Sequence, residues 1–397
     1  MWFGGAPLAM SGFYASSMRY VLQAIILYND RTFLIGNRYM ALKVVVWGTG
    51  NVGRPAIRAV LSHRELELVG VIVASKDKVG LDAGVLAGVA DTGIIATDDW
   101  RSLLDAGADA VVYTATADIR PVEAMTDLMF CLEAGINVVS SAFYAFLHPA
   151  SSSQEALKPV TDACAKSGAS LFVSGIDPGW IMDMLPVVLS GAVSGIREIR
   201  TREIFNYALY DQPQVVREVI GFGGPMDELP MMLHDFAIEM VWAPMVRLVG
   251  ESLGTPVEKV EVRVERLPLE RTIEVPGMGT FEAGTQGAFR FEVLGYYNNQ
   301  PLFVLEHITR IDDACAPDWP YPPEGQGCHQ VIISGDPDLH VSVHAEDHFE
   351  PGVAGGGNAS AANWIVNALP GVCNANPGIV TVIDLPRITG AGQLNIG

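Results

Sequence analysis

A glycine-rich turn near position 50 constrains the fold more than any other stretch of the chain. Residues 44–47 form a β-branched and aromatic run, as is typical of a strand buried in a parallel sheet. Gly48, Gly50 and Gly53 follow at Gly-X-Gly-X-X-Gly spacing, and the residues after Gly53 have a helical pattern. The sequence therefore predicts a strand, a tight turn and a helix in succession.

Each glycine of this turn has its own predicted role. Gly48 permits the turn, Gly50 lets a pyrophosphate approach the backbone, and Gly53 lets the helix pack against the strand. The alternative is a plain strand-to-helix turn whose glycines serve packing only. Because strand, spacing and helix agree, the pattern favours a dinucleotide site built from Gly48, Thr49, Gly50, Asn51, Val52 and Gly53.

Strands and helices alternate through the first half of the chain, which predicts a Rossmann-type, doubly wound parallel sheet. The predicted strands are 66–74, 94–97, 108–116, 136–142 and 170–174, and the predicted helices are 100–106, 121–134 and 154–166. Thr114, Ala115, Thr116 and Ser141 lie at the ends of two strands, where a nicotinamide ribose binds at the carboxyl edge of such a sheet.

The second half reads as an α+β domain with a mostly antiparallel sheet. Its predicted strands are 196–208, 257–267, 272–275, 287–297, 301–310 and 329–334, followed by a helix at 358–369. Methionine and aromatic residues between 226 and 242 predict either a mobile apolar lid or an ordinary packed helix, and Gly355–Gly357 is interpreted as a hinge. We expect a Rossmann domain at 40–178, a substrate and dimerisation domain at 179–354, and a C-terminal helix and tail at 355–397 that return to the first domain.

Residues 1–39 have no clear place in this scheme. Their apolar run at 20–28 is too short to span a bilayer and lacks the order of features found in a signal peptide. We interpret the segment as a loosely held extension or the product of an upstream start codon, with an amphipathic anchor as the alternative.

Composition excludes several classes of function. The net charge of −20 opposes binding to nucleic acid or to an anionic membrane. Five scattered cysteines without a Cys-X-X-Cys pair indicate neither a disulfide framework nor a zinc site, which favours the cytoplasm.

The end of the second strand decides between the two nicotinamide dinucleotides. NAD enzymes usually place an acid about 20 residues after the glycines to bind the ribose hydroxyl. Here Ser75 and Lys76 occupy that place and would suit a 2′-phosphate, so NADP(H) is favoured and NAD(H) remains possible. In the alternative, Asp77 binds the ribose. Arg54 is a further candidate for the phosphate.

Hydride transfer to a carbonyl group requires a proton donor, and the predicted topology offers His148, Tyr144 and Tyr207. For His148 the alternative is a loop histidine bonded to backbone. Asp177 precedes Pro178 at a turn and is expected to cap it rather than to catalyse. The expected substrate pocket is bulky and apolar, lined by Phe143, Phe146, Asp177 and Trp180.

Three histidines near position 344 suggest a metal site, with Glu346 and Glu350 nearby. His340 and His344 would share a face of a strand, but about 13 Å apart at ~3.3 Å per residue. His348 lies beyond them. A surface loop is the stronger interpretation, so we expect no metal.

Six segments in order resemble one group of enzymes: WGTGNVG at 47–53, VGLDAG at 79–84, GIDPG at 175–179 with DMLP at 183–186, GDPDL at 335–339, AANWIVNALP at 361–370 and PGIVT at 377–381. That group is the dihydrodipicolinate-reductase-like oxidoreductases, which include 2,4-diaminopentanoate dehydrogenase and the native amine dehydrogenases. The resemblance implies a homodimer that reduces an iminium formed from a ketone and ammonia with NAD(P)H. It also implies that Asn367 reaches the nicotinamide.

One departure from the resemblance concerns the chemistry. Amine dehydrogenases of this type carry paired glutamates in the loop after the fifth Rossmann strand, whereas residues 138–153 of this chain contain no acid. An iminium needs a carboxylate near it. The sequence therefore predicts an NAD(P)H-dependent oxidoreductase acting on C=O or C=N of a bulky apolar substrate, with amine dehydrogenation as the alternative and a non-catalytic NADP(H) sensor as a third possibility.

Overall fold

The computed structural model describes residues 41–117, 119–210, 212–350 and 353–395. The predicted extension at 1–39 lies outside the described residues. From Ala41 onward the chain forms one compact unit.

The first half forms a parallel sheet, as predicted. Its strands are β1 (Leu42–Trp47), β2 (Leu66–Ile72), β3 (Ala110–Tyr113), β4 (Asn137–Ser140) and β5 (Ser170–Val173). Their order is β5-β4-β3-β1-β2, with every pairing parallel. The strand interiors are buried on both faces, which is why they read as continuous apolar runs.

The second half forms a mixed sheet in the order β13-β12-β6-β11-β10-β7. Its strands are β6 (Ser194–Asn206), β7 (Lys259–Pro268), β10 (Gln286–Tyr297), β11 (Gln300–Arg310), β12 (Gly327–Asp336) and β13 (Leu339–Val343), and β8 (Ile273–Val275) pairs separately with β9 (Gly279–Phe281). Only β6 and β11 pair in parallel within this sheet, so the predicted mostly antiparallel character is confirmed.

Eight helices of the described residues surround these sheets: α1 (Gly53–Ser62), α2 (Ala83–Ala87), α3 (Trp100–Asp105), α4 (Pro121–Glu133), α5 (Gln154–Ser167), α6 (Met184–Ser190), α7 (Asp235–Ser252) and α8 (Val353–Cys373). Helices α6 and α7 pack on the mixed sheet, whereas α8 packs against α1 and the parallel sheet. The short strand β14 (Gly378–Val380) then joins β5 and extends the parallel sheet.

Two local predictions are wrong. Residues 94–97 do not form a strand, because they make only isolated bridges, from Thr97 to Ile72 and from Ile95 to Asp82. Gly355–Gly357 is not a hinge but the beginning of α8. A Cβ atom on Gly356 would lie 1.9 Å from the carbonyl oxygen of Ala345, so glycine is required there for close packing.

Candidate functional site

The glycine turn joins β1 to α1 as predicted. Gly48 has φ +106°, and a Cβ atom there would lie 2.7 Å from the backbone nitrogen of Ala115. A Cβ atom on Gly53 would lie 2.1 Å from the carbonyl oxygen of Gly48. Around Gly50, by contrast, no atom lies within 4 Å of such a position. Two glycines therefore permit the turn itself, and the third leaves its outer surface open.

Open backbone at this turn fits a dinucleotide. Val52 occupies the N-cap of α1 and makes no side-chain cap; the N–H of Arg54 donates to the carbonyl oxygen of Gly50, and the N–H of Gly53 is left for an anion. On α8, the predicted contact Asn367 has its side-chain oxygen buried without a hydrogen-bond partner among the described residues. Both features suit a bound nicotinamide dinucleotide.

The other predicted cofactor contacts surround the turn. Thr49 is buried, and the hydroxyl of Thr114 donates to the carbonyl oxygen of Gly48 at 3.2 Å. The side-chain oxygen of Asn51 accepts from Arg54 at 3.5 Å. Of the remaining contacts, Ala115 and Ser141 are half-buried and Thr116 is exposed.

Charges at the end of β2 are more balanced than the sequence suggested. The hydroxyl of Ser75 donates to Asp77, and the ammonium group of the exposed Lys76 pairs with Asp98. Lys78, which the sequence reasoning missed, places Nζ 3.2 Å from the carbonyl oxygen and 3.3 Å from Oγ1 of Thr49. Two lysines and two aspartates thus lie around the end of β2.

A buried ionic cluster lies beyond the carboxyl edge of β5. Nε2 of His307 is 2.6 Å from Oδ2 of Asp177, and Nδ1 of His307 is 3.4 Å from Oε1 of Glu203. His329 contacts Oε2 of Glu203 at 3.1 Å. The hydroxyl of Tyr207 donates to Glu203 at 3.3 Å, and the cluster thereby joins a loop of the parallel sheet to the mixed sheet.

The register of the mixed sheet explains this cluster. Glu203 on β6 lies opposite His307 on β11 and opposite His329 on β12, so three adjacent strands present these side chains side by side. The loop after β5 then brings Asp177 against His307. The register cannot be read from the sequence, because about 100 residues separate the paired strands.

Mutual attraction sets the charges of the cluster. Burial alone would lower the pKa of His307, but Asp177 and Glu203 outweigh it and raise the pKa to about 9. Burial would likewise raise the pKa of Glu203, yet His307 and His329 lower it to about 2. Burial and Glu203 raise the pKa of Tyr207 well above its usual value, so its hydroxyl remains a donor. Attraction between His307 and Glu203 therefore outweighs the effect of burial on both side chains.

Asp177 does not have the expected capping role. Its Oδ1 accepts from the indole nitrogen of Trp242 at 2.9 Å, and its Oδ2 faces His307. The side chain that caps the start of α6 is Asp183 instead. Asp177 therefore connects the loop after β5 to Trp242 on α7 and to His307 on β11.

The predicted proton donors have different surroundings. Nδ1 of His148 contacts Ser151 Oγ at 2.7 Å and its Nε2 contacts Glu251 at 2.9 Å, so both ring nitrogens are engaged with side chains rather than with the predicted backbone groups. Tyr144 is half-buried. Of the three, Tyr207 belongs to the ionic cluster.

The predicted apolar pocket wall is partly wrong. Phe143 and Phe146 are buried in the hydrophobic core, where Phe143 packs on Tyr113 with ring centroids 5.1 Å apart. Trp180 remains half-buried, 5.9 Å from the ring of Trp364 on α8. Aromatic side chains that contact the cluster include Tyr207, Trp242 and Phe291.

Histidines near position 344 are not brought together with the acids expected there. His340 lies on β13, and Glu350 instead pairs with Arg54 at 2.8 Å. In the described part of the chain, the side chains close enough to share a metal ion are Asp177, Glu203 and His329, whose ligand atoms lie within 4.8 Å of one another. The same part contains no helix that is both long and apolar enough to cross a membrane.

Two family models match the chain. Residues 180–393 match the 2,4-diaminopentanoate dehydrogenase C-terminal domain, and residues 42–142 match the N-terminus of dihydrodipicolinate reductase. The resemblance drawn from the six segments is therefore confirmed.

Individual relatives agree with these models. An amine dehydrogenase of Streptomyces virginiae is 45% identical over 356 residues, which cover 89% of this chain and 98% of the relative. The 2,4-diaminopentanoate dehydrogenase of Acetoanaerobium sticklandii is 25% identical over 87% of this chain and 93% of its own. Among solved structures, that of an amine dehydrogenase from Mycobacterium smegmatis has a TM-score of 0.69 at 22% identity, covering 89% of this chain and 98% of that one, and shares the fold.

Proposed function

This chain belongs to the oxidoreductase family of 2,4-diaminopentanoate dehydrogenase and the amine dehydrogenases, and we propose that it is an amine dehydrogenase that interconverts a carbonyl compound and a primary amine. The enzyme is an NAD(P)-dependent oxidoreductase. A bound nicotinamide dinucleotide supplies the hydride. The chain supplies the binding turn, the walls of the pocket and the charged groups around the reacting carbon and nitrogen.

The observation that carries this proposal is the buried cluster of Asp177, Glu203, His307 and His329. Within it, Oδ2 of Asp177 has no hydrogen-bond partner among the described residues, and a protonated amine or iminium would offer it a charged donor. The cluster lies beyond β5, on the side of a doubly wound sheet where the nicotinamide binds. It supplies the carboxylates that residues 138–153 lack.

The proposal is tested by following NADPH and NADH oxidation with a panel of aliphatic and aromatic ketones and aldehydes, with and without ammonium. We expect oxidation that requires ammonium and yields a primary amine. Turnover of the same ketones unaffected by ammonium would instead establish a ketone reductase. Tight cofactor binding without turnover on any substrate, including amines with the oxidised cofactor, would favour the sensor.

For the cofactor, we propose that NADP(H) is preferred and that NAD(H) is also used. Ser75, Lys76 and Lys78 would bind the 2′-phosphate, while Asp77 and Asp98 oppose it. Asp98→Asn removes one negative charge and releases Lys76, so the KM for NADPH should fall several-fold while that for NADH changes little. Lys76→Ala should raise the KM for NADPH selectively, and an equal loss for NADH would contradict this role.

A homodimer is proposed from the mixed sheet. One face of that sheet carries an alternating set of arginines and glutamates, namely Arg200, Arg202, Arg290, Glu292 and Glu306. These side chains pair with one another within the chain, and a two-fold dimer is the commonest closed assembly of soluble proteins. A monomeric mass by light scattering at micromolar concentration would contradict the dimer.

We also propose a cellular location, based on the state of the cysteines. All five cysteines are free, which supports a reducing, cytoplasmic location.

We also propose the domain limits near 178 and 354. The return of α8 and β14 to the parallel sheet supports the assignment of the C-terminal segment to the Rossmann domain.

A further inference from the structure

We propose that Asp177 binds the ammonium and iminium nitrogen, and that His307 stores the proton that leaves with the hydroxyl group of the carbinolamine. The inference rests on the proposed amine dehydrogenase function and assigns roles within the same site. It replaces the acid absent from residues 138–153 by a carboxylate from the loop that follows β5.

The orientation of Asp177 suits a cation ligand. Its Oδ1 is held by the indole of Trp242, which fixes the carboxylate plane. Its Oδ2 is buried 2.6 Å from Nε2 of His307, and neither atom has a hydrogen-bond partner among the described residues. A buried acceptor with unused capacity attracts a donor of positive charge.

His307 is placed to store a proton. Its ring lies between Asp177 and Glu203, and the aromatic rings of Trp242 and Phe291 pack around it with centroids 5.1 Å and 4.6 Å away. The titratable or charged groups that face His307 are Asp177, Glu203 and, at longer range, Glu306. His329 and Tyr207 act on it through Glu203, whose oxygens they hold. Glu203 is thus a positioning residue that holds the His307 ring and favours its protonated form.

Protons and charges are conserved over the reaction when ammonium is the nitrogen source. Ammonium binds at the Asp177 carboxylate when the His307 imidazole is neutral, gives one proton to that imidazole, and adds to the carbonyl carbon as ammonia. A proton then moves from nitrogen to oxygen within the adduct to give a carbinolamine. The C–O bond of the carbinolamine then breaks, and the hydroxyl group takes the proton from His307 through Asp177 and leaves as water. The iminium cation that remains lies against the Asp177 carboxylate. Hydride addition to its carbon gives the neutral amine.

The test compares Asp177→Asn and His307→Gln with two matched controls. Asn keeps an acceptor for Trp242 but carries no charge. Asp336→Asn is the control for the first variant, because Asp336 is exposed and also precedes a proline. His340→Gln is the control for the second, because His340 is exposed on β13. NADPH binding by fluorescence verifies that each protein retains its fold.

We expect Asp177→Asn to raise the KM for ammonium at least about tenfold and to abolish ammonium binding in calorimetry, with NADPH binding unchanged. His307→Gln should lower kcat on the order of 10²-fold with a smaller change in KM, and should remove the fall in kcat at alkaline pH. Both controls should behave as wild type.

Other results overturn the inference. An unchanged KM for ammonium in Asp177→Asn would do so, as would a stoichiometric divalent metal in the purified protein whose removal by chelation stops turnover, because the carboxylates would then be metal ligands. Failure of the proposed function is distinguishable, since it appears as absence of ammonium-dependent turnover in the wild type. In that case calorimetry of ammonium with the wild type and Asp177→Asn still decides the role of Asp177.

Discussion

Nε2 of His307 lies 2.6 Å from Oδ2 of Asp177, and both side chains are almost fully buried. The contact links a loop of the parallel sheet to a central strand of the mixed sheet, so the charge on one ring bears on both halves of the molecule. Loss of that charge removes the cation that Asp177 and Glu203 share, although His329 still contacts Glu203.

This relationship predicts a specific dependence of stability on pH. Because the folded-state pKa of His307 is raised to about 9, its contribution is complete below the unfolded value near 6.5 and is lost as the pH rises through about 9. The melting temperature of the wild type should therefore fall between pH 7 and 10 more steeply than that of His307→Gln, as measured by differential scanning fluorimetry. Parallel curves for the two proteins would contradict the assignment.

The glycine turn predicts opposite effects for two similar substitutions. Gly53→Ala places a methyl group 2.1 Å from the carbonyl oxygen of Gly48, so it should destabilise the fold by several kcal/mol. Gly50→Ala meets no atom within 4 Å and should leave the melting temperature nearly unchanged while weakening cofactor binding by tenfold or more, on the order of 1–2 kcal/mol. Melting curves with and without NADPH distinguish the two. Equal destabilisation by both variants would contradict the structure.

The sequence predicts the parallel half well because its information is local. A buried run such as Val44–Val46 is followed directly by glycines whose spacing has one structural use, and the turn is found where predicted. The ionic cluster could not be predicted in the same way. Glu203, His307 and His329 become neighbours only through the register of β6, β11 and β12, which depends on long-range pairing.

The packing of Phe143 and Phe146 likewise could not be predicted from the sequence. Their sequence position after β4 is compatible with a pocket wall or with the core, and only the path of the loop decides. Phe143 adopts a left-handed backbone conformation, φ 63°, that turns its ring onto Tyr113. This conformation is uncommon for a residue other than glycine, and nothing in the local sequence predicts it at Phe143.

Glu306 is predicted to be the most sensitive acid of the mixed sheet. It is fully buried and contacts Arg200, Arg202 and Arg290 at 2.7–2.9 Å. Glu306→Gln leaves these arginines without their shared carboxylate and should cost about 3–5 kcal/mol of unfolding free energy in urea titrations. The matched control Glu261→Gln, at an exposed pair with Arg263, should change the free energy of unfolding far less, because water screens that pair. Similar losses of unfolding free energy in the two variants would show that Glu306 and its three arginines do not act as a unit.

Replacing the buried carboxyl group of Asp183 is expected to stabilise the protein. Its carboxyl group is completely buried at the start of α6, where Oδ1 accepts from the backbone of Met184 and Oδ2 has no partner among the described residues. Burial raises its pKa to about 7, against the smaller opposing effect of the Met184 N–H. The stability associated with the protonated group is therefore complete below about 3.8 and is lost as the pH rises through about 7.

Asp183→Asn retains the acceptor for Met184 and cannot ionise. We expect it to stabilise the protein by about 3 kcal/mol at pH 8 and by little at pH 4.5, measured by urea titration at both values. Asp99→Asn is the control, because Asp99 caps α3 from an exposed position and Asn caps equally well, so its effect should be small at both pH values. A stability gain for Asp183→Asn that is the same at pH 4.5 and pH 8 would mean that the carboxyl group does not titrate in this range, and that the gain comes from hydrogen bonding alone.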